Sequence, residues 1–375
     1  MILIPRIVML DTSHLGEMSR DYWDASSYRR VRETVDELAA ANWYIGITFS
    51  HIAELIRHRD DRVVNDRLEF LRVLPHVAWV RPYCGNWFPG TIVDVHLREI
   101  ECRFELPNSD AELRIEHLRP IIWETGTGAE IIQKDFPGWK PLRSQAQRHV
   151  HDEIYIESMI RPDAGRIRST TIGEMRKLPI REKSERAKFL QRFAAEFQRQ
   201  LIEHGDPKLT RPDLAANTFA LDAVKRIEKA EQRSDNPTAE LLFEYGIDEE
   251  LLDPLMTMED FGFLTVFARR LQLLAEMLRP PRLLTLQEIK SEDLPSWLIY
   301  RELMRAHGRE CRVAGSNMGD SDIASVGLYA DMCVVDKRTH NHLRQSRRRI
   351  PSLSIFLNRY TKASHYSTVL NRIPA

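Results

Sequence analysis

The sequence predicts an α/β protein: a central parallel sheet covered on both faces and interrupted by a mostly α-helical insert. Three observations carry this. Short apolar runs alternate with amphipathic helical segments over residues 1–84. The same alternation returns over residues 295–375. Between them, residues 85–294 place their apolar side chains mainly at helical spacing. One α/β domain is therefore expected in two parts, with the insert between them. A chain of 375 residues has room for about two such bodies.

The elements read in order as follows. Residues 6–10 form a short buried strand that stops abruptly on Asp11, Thr12 and Ser13. Val31, Val35 and Leu38 space a helix over 28–41, and residues 44–48 make a second strand. Ser50 is placed as the N-cap of the helix in "HIAELIRH". A helix over 63–74 leads to a third strand at 77–80, closed by Arg81-Pro82. Residues 85–110 read as mixed, with a few irregular strands. In the insert, Phe189, Phe193, Phe197 and Leu201 mark one helix, ended by Gly205. Asp260 caps a second, which runs through Phe263, Phe267, Leu271 and Leu274 to Pro280-Pro281. These phenylalanine rows are helix-packing core. Near the end, "GDSDIASVGLYA" opens a helix, "DMCVVD" is a strand ending on Asp336, "KRTHNHLRQSRRR" is a basic helix and "SLSIFL" is a last strand.

The net charge of -1 gives no global field toward nucleic acid, so such binding needs a local patch. Cys84, Cys102, Cys311 and Cys333 form no C-x-x-C pair, which argues against a zinc ribbon or a disulfide scaffold and fits a reducing cytoplasm. The first residues lack the pattern of a signal peptide. No run approaches the roughly 18 apolar residues of a membrane helix.

Two strands end in acid, at Asp11 and at Asp336. In an open parallel sheet the carboxyl ends of the strands share one edge, where ligands bind. Glu54, one turn into the helix after the second strand, lies near that edge. Asp320 and Asp322 begin a later helix, where each can also act as a cap. Carboxylates converging there repel one another, and a hard cation, Mg²⁺ or Mn²⁺, removes that penalty.

At these residues the chain resembles the PIN-domain nucleases. "VMLDTSHL", "ITFSHIAELIRHR", "GDSDIAS" and "YADMCVVDKRT" are similar, in order, to the four acidic motifs of that family. The resemblance covers roughly residues 1–82 and 295–375. It implies a three-layer α/β/α sandwich that cleaves RNA, or sometimes DNA flaps, with Mg²⁺ or Mn²⁺; RNA is the expected substrate here, with single-stranded DNA as the alternative. It assigns Asp11, Glu54, Asp320 or Asp322, and Asp336 as the metal-binding catalytic acids. Asp331 matches a further polar position, which also suits a strand start. An insert of about 200 residues departs from compact PIN domains; it is a candidate for substrate grip, self-association or a regulatory protein partner.

The implied chemistry is metal-assisted phosphodiester hydrolysis. Thr12, Ser13 and Ser50 are placed to position water or phosphate behind the acids. Lys337, Arg338, Arg344, Arg347 and Arg348 form a basic segment beginning right after Asp336, so phosphate contact is expected there. Competing readings are a PIN-like scaffold without catalysis and a haloacid-dehalogenase-type phosphatase. The latter wants a second Asp two residues after the first, where this chain has Ser13. His51, Glu54 and His58 share a helix at spacings of three and four, an arrangement that can bind zinc but reads better as a polar face or a substrate contact. "ETGTGAE" at 124–130 lacks the Lys-Ser/Thr of a P-loop and is a loop.

Overall fold

The computed structural model describes residues 5–372 except 86–88, 134–136, 161–167, 177–182, 234–246 and 310–316. Cys311 lies outside the described residues, as does the side chain of Phe189. Two compact units are present. The first comprises Met1–His151, Ser291–Ala306 and Ser316–Ala375; the second comprises Asp152–Lys290 and His307–Gly315.

The first unit is α/β. In chain order it holds β1 (Arg6–Leu10), α1 (Thr12–Tyr22), α2 (Tyr28–Ala40), β2 (Trp43–Ile47), α3 (Phe49–Ile56), α4 (Asp61–Arg72), β3 (Val77–Val80), α5 (Ile92–Glu105), α6 (Ala111–Ile122), β4 (Trp123–Gly126) and α7 (Gly128–Ile131). Helix α8 (Trp139–Ile160) begins in it. The helices α9 (Ile172–Arg176), α10 (Lys183–His204), α11 (Pro212–Arg233) and α12 (Met258–Met277) belong to the second unit. The chain then supplies α13 (Pro295–Gly308), α14 (Asn317–Gly327), β5 (Met332–Val335), α15 (Lys337–Ser346) and β6 (Tyr360–Lys362).

The six strands form one sheet in the order β4-β3-β2-β1-β5-β6. Every neighbouring pair is parallel except β3 and β4, so the sheet is mixed where the sequence predicts a parallel one. The cause is the number of helices before β4. Gly90, just ahead of α5, donates its N–H to the Val80 carbonyl, and Arg81 donates to Ile122, the last residue of α6. Two helices carry the chain down and back up to the end of β3 where it started, so the next strand must run downward. Residues 92–105, expected to be irregular, are thus a helix, capped by Thr91 with Asp94 reciprocating. The sheet unit continues through β4 to residue 151, beyond the expected boundary at 85.

Alternate residues of β1 enter two different cores, as the two-residue period of a strand requires. Ile7 and Met9 pack with Val95, Ile115, Leu298 and Ile323. Val8 and Leu10 pack with Leu15, Val31, Ile52 and Phe70. Residues 352–357 are not the expected strand. They form two short 3-10 turns, Pro351–Leu353 and Phe356–Arg359, and the last strand is the three-residue β6. Pro351 opens the first turn, and the buried Ile350, Leu353, Phe356 and Leu357 follow a helical rather than an alternating spacing.

In the second unit, Phe197 of α10 stacks on Phe219 of α11 at 5.0 Å between centroids, and Phe193 stacks on Phe197 within α10 at 5.8 Å. Phe197 and Leu201 are core and Phe193 packs against them, as expected. Helix α12 is capped by Thr257 rather than Asp260: the Asp260 N–H donates to the Thr257 hydroxyl at 3.2 Å. No helix among the described residues is long and apolar enough to cross a membrane.

Glu99 of α5 is buried in the first unit. It accepts from the Tyr329 hydroxyl at 2.5 Å and from the backbone N–H and hydroxyl of Ser296, each at 2.8 Å. Burial lifts its carboxyl from 4.5 to about 7, against the opposing effect of these donors and of Arg114. The unfolded chain therefore gives up this proton near 4.5 while the folded chain keeps it to about 7. Its contribution to stability is complete below 4.5 and is lost as pH rises through 7. Glu99→Gln, neutral at every pH, should match the wild type at pH 4 and exceed it at pH 8 by on the order of 3 kcal/mol. Urea melts at the two pH values measure this; equal wild-type and variant curves at pH 8 would refute it.

Candidate functional site

The chain leaves β1 toward β2, β3 and β4 on one side and returns as β5 and β6 on the other. The strand order therefore reverses between β1 and β5, and ligands of open α/β sheets bind outside the carboxyl ends at such a point. β1 and β5 are held in register by Val8 opposite Met332 and Leu10 opposite Val334. The Asp11 N–H donates to the Val334 carbonyl at 2.9 Å. Asp11 and Asp336, each one residue past the end of its strand, thus flank the reversal.

Both are helix N-caps. Asp11 accepts from the Ser13 N–H at 2.7 Å and Asp336 from the Thr339 N–H at 2.6 Å. Each carboxylate uses only its Oδ1 for this. Glu54 projects from α3, largely buried, with an Arg57 nitrogen 3.9 Å from its Oε1. Asp320 projects from the first turn of α14. Its carboxyl stands well above the usual carboxylate range. Burial is the first cause, and the negative charges of Glu54, Asp11 and Asp336 follow, with Arg338 opposing them. Three acids therefore act on Asp320. Asp322 is half-buried on the same helix, and residues two apart on a helix do not share a face. Asp320 feels the other three.

Arg338, in the first turn of α15, reaches both sides of the cluster. Its Nη2 lies 3.9 Å from an oxygen of Asp320 and 3.9 Å from one of Asp336. Arg338 is thus a counter-charge to both acids. Among the described residues no group of three or more His, Cys, Asp or Glu side chains stands close enough to form a metal cage as placed. The donor set nonetheless suits a hard cation, since Mg²⁺ keeps several waters and takes only one or two carboxylates directly.

Thr12 and Ser13 begin α1 beside Asp11; the Thr12 hydroxyl oxygen is buried and has no hydrogen-bond partner among the described residues. Ser50 lies in the first turn of α3, four residues from Glu54, and shares its face. It is not the cap. Thr48 is, because its extended backbone ends β2 and turns straight into the helix. Asp331 stands at the other end of β5, away from the acids. It accepts from the Ile7 N–H at 2.7 Å and pairs with Arg119, which makes it a strand anchor. The basic helix stops at Ser346, with Arg347 as its cap, so Arg348 lies beyond it.

His51 had a different assignment from sequence. It is fully buried, not on a polar face, and both ring nitrogens are engaged. Nδ1 accepts from the Thr48 N–H at 3.0 Å, so Nε2 carries the hydrogen and donates to the Leu10 carbonyl at 2.8 Å. His58 is exposed, and its Nδ1 accepts from the Asp60 N–H. The zinc arrangement of His51, Glu54 and His58 is thereby excluded. His51 instead ties the strand that ends in Asp11 to the helix that carries Glu54. The signal in the sequence is a cap with its reciprocating partner three residues on, written here as "TFSH" with His where Glu or Gln is usual.

Burial pushes His51 from 6.5 down to about 4, against the Leu10 carbonyl and the Asp11 charge, which favour protonation. The unfolded chain takes up this proton below 6.5 and the folded chain resists until about 4. The contribution is complete above 6.5 and is lost as pH falls toward 4. His51→Ala leaves the Leu10 carbonyl and the Thr48 N–H without a partner and should cost about 2–4 kcal/mol at pH 7. The cost should shrink at pH 5, and His51→Gln should recover part of it at pH 7. Urea melts of the three proteins at both pH values decide; a cost independent of pH would sink the neutral-histidine clamp.

Comparisons with protein-family models, with curated proteins and with solved structures return no match for this chain.

Proposed function

We propose that the chain is a PIN-like, metal-dependent nuclease, with RNA as its substrate and single-stranded DNA as the nearest alternative. The first unit would then be a three-layer α/β/α sandwich of that type. The observation that carries the reading is that Asp11 and Asp336 flank the strand-order reversal and, with Glu54, bring their charges to bear on the half-buried Asp320. A partly buried carboxylate facing three others is costly unless positive charge meets it.

Asp11, Glu54, Asp320 and Asp336 would hold Mg²⁺ or Mn²⁺. A bound ion of this kind supplies an acidic water and stabilises charge on a leaving oxygen. Asp11 and Asp336 are held at the edge by their capping bonds, so their positions are set before any ligand arrives. Thr12, Ser13 and Ser50 supply hydroxyls around the acids that orient water or a phosphate. Arg338 limits the repulsion between Asp320 and Asp336 and is positioned to turn toward a phosphate. That same contact favours a second reading, a nucleic-acid-binding scaffold without catalysis, because Arg338 neutralises part of the cluster by itself.

Incubation of the protein with a mixed RNA pool in Mn²⁺ should give cleavage that EDTA abolishes. Asp11→Asn and Asp336→Asn should each lower the rate by roughly 10²-fold or more. Cleavage insensitive to EDTA would overturn the metal mechanism, and no cleavage would favour the scaffold.

Asp320→Asn removes a carboxyl that the fold disfavours in its charged form. Without added metal, its melting temperature at pH 8 should exceed that of the wild type by a few degrees, and the gain should vanish in acid, where Asp320 is protonated. Mn²⁺ should raise the wild-type melting temperature by binding the folded form, and raise that of the variant less. Differential scanning fluorimetry reads both; a less stable variant with an undiminished Mn²⁺ shift would make Asp320 a structural residue.

A further inference from the structure

The acids do not extend to the end of the sheet edge. β6 is the outermost strand beside β5, and its last residue, Lys362, is in register with Val335, the residue before Asp336. Neighbouring strands lie about 4.8 Å apart, so Asp11, Asp336 and Lys362 follow one another across the edge from β1 to β6. The edge thus changes sign between its last two strands.

Helix α15 continues that change. His340, Arg344 and Arg347 are spaced by four and three, which sets them along one face. Strand β6 packs against α15, which brings Lys362 to the helix that carries His340 and Arg344. Burial lowers the His340 pKa, and the positive charges of Lys362, Arg344 and Arg347 lower it further. Arg344 and Lys362 are exposed, and among the described residues neither has an acidic partner. Arg347 donates to the Asn358 side chain and remains exposed. Like charges gathered on a surface without counter-charges repel one another, and a polyanion relieves that repulsion.

We propose that Lys362, Arg344 and Arg347 form a track for the phosphates of a single-stranded nucleic acid, leading from the carboxylate crevice outward over β6 and α15. This rests on the nuclease reading of the crevice, and it gives that site a direction: the strand passes on the β6 side, not over β2, where the edge carries the buried Thr48. Arg348, beyond the end of the helix, is not part of the track.

The test is a fluorescence-anisotropy titration of fluorescein-labelled oligouridylate at several salt concentrations, with EDTA present, in the full-length Asp11→Asn protein. Each phosphate contact on a single strand contributes ~0.7 to the slope of log affinity against log salt. Lys362→Gln with Arg344→Gln should flatten the slope by about 1.4 and weaken binding several-fold at low salt. Both side chains are exposed, and an unchanged circular-dichroism melt shows that the fold is intact. Arg348→Gln should alter the slope by less than about 0.3. An unchanged slope in the double variant, or equal flattening by Arg348→Gln, overturns the track. In that case wild-type, EDTA-sensitive cleavage would still stand as evidence for the crevice. Failure of the Asp11→Asn protein to bind the oligonucleotide would overturn the track, and an absence of wild-type cleavage would overturn the nuclease reading separately.

Discussion

The pairing of β1 with β5 is the constraint on which the rest of the first unit depends. These strands are more than 300 residues apart in sequence, yet they are neighbours at the centre of the sheet. Closing so long a loop costs only about 0.6 kcal/mol more for each doubling of its length, so an insert in the connection is tolerated. The pairing bonds offset that cost, and the apolar faces of both strands add to them. Cys333 and Val335 enter the core that holds Ile7 and Met9, while Met332 and Val334 enter the one that holds Val8 and Leu10. Once the pair forms, Asp11 and Asp336 have no choice but to share an edge.

What then keeps four carboxylates near one another is a set of separate local anchors. Asp11 and Asp336 each satisfy a helix N-terminus, whose unpaired N–H groups attract a negative charge. Glu54 is set by the clamp of His51 between Thr48 and Leu10. Asp320 rides on α14, and Arg338 stands between it and Asp336. A capping role and a functional role are not rivals at Asp11. One oxygen serves the helix, and the other takes no part in the cap.

Much of this was legible in the residues. The strand–helix alternation, the strand-end acids and the helical core of the insert all follow from apolar spacing, which records which face of an element is buried. The misreadings have particular causes. β4 and its antiparallel direction follow from the two helices that precede it, where irregular strands and the start of the insert were expected, and apolar spacing says nothing about direction. Residues 352–357 are apolar enough for a strand, but Pro351 and the burial of Leu353, Phe356 and Leu357 select turns. Thr48 displaces Ser50 as the cap because the strand runs up to it without a loop.

The sequence by itself determined the local chemistry: that the strands leading to Asp11 and Asp336 are buried, that both end in acid, and that a basic segment follows Asp336. Those properties arise from neighbours within a few residues, where periodicity and capping act. Only the tertiary structure decided which charges meet. It set Asp320 within the charges of Asp11, Glu54 and Asp336, and it put Asp331 at the far end of its strand. It also turned His51 from a surface residue into a buried clamp and brought Lys362 beside the end of β5. Each of these depends on contacts between residues far apart in the chain, whose energies are set by distance and burial in three dimensions and leave no pattern in local spacing.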